Sequence, residues 1–220
     1  MAHVICPPYD IISSGQQSLY YRKSTYNAIR LELPREDPGP AVDRYQKAAA
    51  TFGQWLMDGI LEQDSVPGFY LHQHQFDYSG EERLRRGLIA RVRLEPWGNG
   101  IYPHEETGTK AEGDRLQLMR SCRANFSPLL SLYDDSHVKV SATLSRISRQ
   151  EPLISLWAEP SNLPDCHEVH TLWAVTDLET KQELSRLLSS VPLYMADGHH
   201  RYETALAYQR EKALQQCSGD

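Results

Sequence analysis

Two stretches of this chain concentrate side chains that can hold phosphate and move protons. The first is Val191–Tyr208, VPLYMADGHHRYETALAY. Its apolar start, Val191–Met195, has the length of a buried strand, and Tyr202, Ala205, Leu206 and Ala213 recur at helical spacing after it. Between them lie Asp197, Gly198, His199, His200 and Arg201. A strand, a tight turn and a helix in that order aim unpaired backbone N–H groups and the positive end of a helix dipole at one point, which suits phosphate. Gly198 would let a ligand approach the backbone, and Arg201 would fork onto phosphate oxygens. Asp197 would orient a histidine or hold Mg²⁺, while His199 and His200 would donate hydrogen bonds or move protons. The plainer alternative is an ordinary Asp-Gly turn whose histidines sit in water.

The second stretch is Ile101–Arg115, IYPHEETGTKAEGDR. A loop of His, Glu, Thr and Lys before a helix offers what phosphoryl transfer uses: a carboxylate to accept a hydroxyl proton and a cation to steady charge. Glu105 is the candidate base, Glu106 the reserve, and His104 or His199 would stabilise developing charge; Lys110 or Arg115 would supply the cation. A solvated loop with Asp114-Arg115 opening a helix is the competing reading.

ADGHHRYETAL resembles the signature of a prokaryotic family described only as domain of unknown function 1015, and other segments carry the likeness along most of the chain. PPYDIIS at Pro7–Ser13, YNAIRLELP at Tyr26–Pro34, PHEET at Pro103–Thr107, DRL at Asp114–Leu116 and ANFSP at Ala124–Pro128 are each similar to a family segment. From these, Tyr9, Asp10, Asn27, Thr107, Arg115, Asn125 and Ser127 are candidate substrate-binding residues, although capping or turn formation explains Asn27, Asn125 and Ser127 equally well. The resemblance also implies that the chain is one portion of a longer protein. DGHHR is in addition similar to the phosphate motif of the ParB/sulfiredoxin superfamily, which includes CTP-using clamps, ATP-using sulfiredoxins and a free-serine kinase. Sulfiredoxin chemistry would place a cysteine where His199 and His200 stand, so a redox role is set aside.

The elements that must position these residues follow from periodicity. Helices are expected over Ala41–Asp58, Val138–Arg149 and Asp177–Ser190, and from Asp114 to Cys122, with Gly59 stopping the first. Strands are expected at Phe69–Phe76 and Leu84–Leu94 around a Tyr78–Glu81 hairpin turn, and at Leu129–Tyr133, Leu153–Ala158 and Val169–Val175. Alternation of Ile29, Leu31 and Leu33 predicts a further half-buried strand. The class is α+β, a mixed sheet with packed helices, divided into residues 1–100 with the hairpin and residues 101–220 with the phosphate turn. No dinucleotide fingerprint and no P-loop occurs.

Two histidine groups could ligate metal, but each lacks partners in sequence. His72 and His74 share a strand face without a third ligand nearby, and Cys166, His167 and His170 lack a fourth. The 220 residues, 40 % of them apolar, suffice for a sizeable core, and no apolar run is long enough to span a bilayer. A formal charge of −6 speaks against a nucleic-acid surface, and the arginines at 83, 85, 86, 91 and 93 read as strand alternation. Four scattered cysteines fit a reduced, cytoplasmic setting. The expectation is a nucleotide-binding phosphotransferase acting on a small hydroxylated metabolite, using ATP, ADP or CTP with Mg²⁺. A ParB-like nucleotide sensor is the alternative, and a metal-dependent hydrolase the third reading.

Overall fold

The computed structural model describes residues 3–36, 43–105, 110–158 and 168–217. Its architecture is α+β, with two sheets and seven α-helices among the described residues. The chain starts with a 3-10 turn at Tyr9–Ile11, followed by α1, Ser14–Lys23. A capping box starts α1: Ser13 Oγ accepts from Gln16 N–H at 3.3 Å, and Gln16 Oε1 accepts from Ser13 N–H at 2.8 Å.

The segment expected as a strand at Ile29–Leu33 is instead a helix, α2, Ile29–Glu32. Asn27 explains the difference. Its Oδ1 accepts from Ile29 N–H at 3.0 Å and gives the backbone a helical start, a local bond that residue alternation does not reveal. Its Nδ2 donates to the carbonyls of His3 and Ile5, at 2.7 and 3.0 Å, and pins the amino-terminal segment. Asn27 is fully buried by these contacts, so its role here is structural.

Helix α3, Arg44–Met57, is capped by Asp43, whose carboxylate accepts from Tyr45 N–H, and it stops at Gly59 with φ of +67°. It buries Ala48 and Trp55, while Leu56 is exposed.

Strands β1, Phe69–Tyr78, and β2, Glu81–Ile89, form the hairpin. Ser79 and Gly80 both take positive φ, 55° and 79°, as a type I′ turn requires. Strand β3 is Ile101–Tyr102, α4 is Lys110–Cys122, β4 is Leu130–Leu132 and α5 is Lys139–Ile147. They are followed by β5, Ile154–Ala158, β6, Glu168–Val175, α6, Leu178–Leu188, β7, Leu193–Asp197, and α7, His199–Cys217. Asp177 caps α6 by accepting from Thr180 N–H at 2.8 Å.

One sheet runs β2-β1-β6-β5, all antiparallel. It takes strands from both sides of residue 100, so the sequence division at 100/101 does not follow the sheets. Phe69, Leu71, Trp173 and Val175 point to one face, where α5 and α6 cover them with Val140, Leu144, Ile147 and Leu184. The other sheet runs β3-β7-β4, with β7 central, parallel to β3 and antiparallel to β4. Ile101, Met195, Tyr202 and Leu206 form its core, and α7 packs on α4, which packs on α3. No helix among the described residues is long and apolar enough to cross a membrane.

Candidate functional site

The central strand of the smaller sheet ends at Asp197, and Gly198 turns the chain directly into α7. That turn needs glycine for two reasons. Its φ is +92°, and a Cβ there would lie 2.7 Å from Leu129 Cδ2 and 3.1 Å from Arg201 Cζ. The first intrahelical bond runs from Tyr202 N–H to Gly198 O at 3.0 Å. The N–H groups of His199, His200 and Arg201 therefore precede the helical ladder and sit at the positive end of a 19-residue helix.

The second chemical stretch comes to this point. Parallel pairing of Ile101 with Leu193 and Tyr102 with Tyr194 brings β3 beside β7 and delivers the residues after it to the turn. His104 Nδ1 lies 2.6 Å from the Met195 carbonyl, an acceptor only, so this nitrogen carries the proton. His104 backbone N–H donates to His199 Nε2 at 3.3 Å. The neutral His199 ring must then hold its proton on Nδ1, and Glu105 Oε1 lies 3.1 Å from that atom. Only 2 % of His199 is exposed, whereas Glu105 and His104 face solvent. Glu105 sits off the direction of a good hydrogen bond, which leaves His199 Nδ1 a buried donor without a well-aligned partner among the described residues. Tyr202 fixes the base of the site: its hydroxyl donates to Glu95 O at 2.7 Å and accepts from Glu95 N–H at 3.0 Å. Trp97 packs on Tyr202 with ring centroids 4.5 Å apart.

Arg201 is placed differently from the expected phosphate fork. Its guanidinium folds beneath Gly198 and donates to Pro128 O and to Asp197 Oδ2, each at 2.6 Å. It is buried and already committed, so it holds the turn closed from below. Asp197 answers Arg201 rather than a histidine, and its side chain remains 54 % exposed. His200 is half-buried, and its Nδ1 has no hydrogen-bond partner among the described residues.

The remaining expected residues do not reach this turn together. Tyr9, Arg115, Asn125 and Ser127 gather around Glu32. Arg115 Nη1 donates to Glu32 O at 2.7 Å, and Ser127 Oγ donates to Glu32 Oε1 at 2.7 Å. The Tyr9 ring covers the guanidinium at 3.9 Å. Asn125 and Arg201 line the small cavity beside them, with Thr204 on its wall. That cavity holds about 30 Å³, room for a water and not for a metabolite. Asn27 lies in its own buried knot, and Asp10 is exposed. Glu106, Thr107, Cys166 and His167 fall outside the described residues, as does the side chain of Lys110.

Two groups were not legible as sites. Glu32, a buried carboxylate joining Arg115 and Ser127, was hidden in a segment whose alternation suggested a strand. Glu168 and His170 come to His72 and His74 through the pairing of β1 with β6, a long-range register no local pattern carries.

A family model described as a protein of unknown function (DUF1015) matches residues 1–220, and the chain belongs to that family. Comparison with curated proteins and with solved structures returns no match.

Proposed function

We propose that this member of the DUF1015 family binds a nucleotide by its phosphates at the amino end of α7 and transfers a phosphoryl group to a small hydroxylated metabolite. The observation that carries the reading is the meeting of Glu105, His104 and His199 at a helix amino terminus whose first three N–H groups precede the helical ladder. A phosphate cradle and a proton acceptor at one point are the two parts phosphoryl transfer needs, because positioning and electrostatics supply most of its catalysis.

In this scheme the N–H groups of His199, His200 and Arg201 hold the terminal phosphate. The hydroxyl oxygen of the metabolite attacks phosphorus while the bond to the leaving diphosphate breaks, and Glu105 takes the hydroxyl proton. His199 Nδ1–H, buried and poorly partnered, donates to the charge that develops. Arg201 acts through the turn it holds, as a positioning residue. If Mg²⁺ accompanies the phosphates, Asp197 has its Oδ1 to offer, since Oδ2 is taken by Arg201.

A metal-dependent hydrolase at the same cluster is disfavoured by the tautomer of His199. A fixed backbone N–H occupies Nε2, so the proton stays on Nδ1 and leaves no lone pair there for an ion.

The test is thermal stabilisation by ATP, ADP and CTP, followed by ³¹P NMR of transfer to a panel of hydroxylated metabolites. Glu105→Gln should abolish transfer, lowering it at least ~100-fold as for a lost general base, while nucleotide binding persists. Nucleotide binding without transfer to any acceptor would leave the non-catalytic sensor. No stabilisation by any nucleotide would remove both.

A further inference from the structure

The four-stranded sheet buries one face under α5 and α6, and the opposite face carries a cluster that plays no part in the site above. His72 and His74 of β1 point to it, as do Glu168 and His170 of β6. His74 and His170 stand directly opposite each other across the strand pair. Glu168 Oε2 lies 3.1 Å from His74 Nε2 and 3.4 Å from His170 Nε2, and these three ligand atoms are all within 4.8 Å of one another.

We propose that His74, His170 and Glu168 form a binding site for a divalent transition ion of the zinc type, with His72 as the residue that orients His170. The chemistry of the donors fits: two imidazole nitrogens and one carboxylate oxygen suit Zn²⁺ and its neighbours, not Mg²⁺ or Ca²⁺. The spacing fits as well. Ligand bonds of about 2.0–2.1 Å in a tetrahedron put donor atoms roughly 3.3 Å apart. Three protein ligands leave one position for water or another ligand, and the site is reachable: His74 is 12 % exposed, His170 27 % and Glu168 28 %.

The surrounding groups are those a metal site uses. His72 Nε2 lies 3.0 Å from His170 Nδ1. With His170 donating from Nδ1, its Nε2 lone pair is turned to Glu168 and His74, and His72 supplies the outer bond that ligating histidines need. The imidazoles of His74 and His170 are stacked, 4.3 Å apart and 11° from parallel. Binding requires them to tilt toward the shared carboxylate about χ2, a broad and soft torsion in histidine.

Arg85 of β2 is the opponent. Its guanidinium lies 3.3 Å from His74 Nδ1 and, as a donor, keeps the proton of His74 on Nε2. Arg85 is an exposed side chain and can swing away, which the backbone N–H at His199 cannot. The two histidine clusters thus differ in whether the blocking group is mobile.

The test uses the metal-free protein titrated with Zn²⁺ by calorimetry and with Co²⁺ by visible absorption. One ion per chain is expected, with the visible bands of a four-coordinate site. His74→Ala combined with His170→Ala should abolish these bands, and His72→Ala should weaken binding about 10- to 100-fold, as loss of an outer-shell partner does. Glu105→Gln should leave binding unchanged, which separates this site from the one at α7. Arg85→Ala, on an exposed strand where folding is not at stake, should tighten binding. Absence of binding in the parent protein, equal binding in the double histidine variant, or no tightening in Arg85→Ala would overturn the proposal.

Discussion

At the scale of single residues, Gly198 and Arg201 form one device. The glycine gives the turn its positive φ and leaves the space into which the guanidinium folds. Gly198→Ala would bring a Cβ to 2.7 Å from Leu129 Cδ2, and should cost about 1–3 kcal/mol in denaturant unfolding. Arg201→Ala strips Pro128 O of its donor and should destabilise the protein with no nucleotide present. Loss of nucleotide affinity at unchanged stability would instead restore Arg201 as a phosphate ligand. The turn glycine was legible from its position between an apolar run and a helical pattern. The partner of Arg201 was not, because the residue types of a motif do not say whether a guanidinium faces a ligand or the protein's own carbonyls. The thiols illustrate the same limit. Burial, with Glu32 adding to it, pushes Cys6 up to about 12, and burial pushes Cys122 to about 11. Peptide mapping after iodoacetamide treatment at pH 8 should find both unmodified in the native protein and modified after unfolding.

Among elements, the junction of α3 and α4 shows what local patterning conveys and what it omits. The span of α3 is written in its apolar spacing and its Gly59 stop, whereas its attachment to α4 depends on Asp114. Its carboxylate accepts from Arg44 at 2.6 Å and from Tyr45 at 2.8 Å, and Arg115 Nε donates to its other oxygen at 2.8 Å. Burial raises the Asp114 carboxyl, but the charge of Arg115 and the bonds from Tyr45, Arg115 and Arg44 outweigh it, leaving it below the ordinary carboxylate value. A depressed value in the folded state means that the unfolded chain binds the proton more readily. The resulting stability is fully present above the ordinary aspartate range and is lost as pH falls through the folded value. Asp114→Asn should therefore cost about 1–2 kcal/mol at pH 7, and the gap to the parent protein should close as the solution is acidified below the ordinary aspartate range. A gap independent of pH would mean that packing, not charge, joins the two helices. Helix α2 marks the opposite case, since one side-chain bond from Asn27 overrides an alternation that reads as strand.

For the whole molecule, strand pairing decides which parts of the chain depend on each other. The hairpin of β1 and β2 was legible from its Ser79-Gly80 turn, but its other neighbour, β6, lies nearly a hundred residues away. Within its own half the apolar face of β1 has only its neighbour Leu88 of β2 beside it, and the buried residues that Leu71 clusters with, Val140, Leu144, Ile147, Trp173, Val175 and Leu184, all come after residue 100. Helix α3 likewise sets Ala48 against Leu118 and Cys122 of α4. A segment of residues 1–100 would hold a two-stranded ribbon and short helices without the surfaces that bury them, and such a ribbon is marginal in water. Expressed alone, it should give poor amide dispersion in NMR spectra and bind hydrophobic dyes. Mixed with residues 101–220, it should recover dispersion as β1 finds β6 and Leu71 enters the core. Leu184→Ala, which opens a cavity against Leu71 from the far side of residue 100, should cost the intact protein about 2–5 kcal/mol. It should also weaken reassembly of the two segments by a comparable amount. A well-dispersed spectrum from residues 1–100 alone would show that the amino-terminal part folds by itself and that the division lies where the sequence placed it.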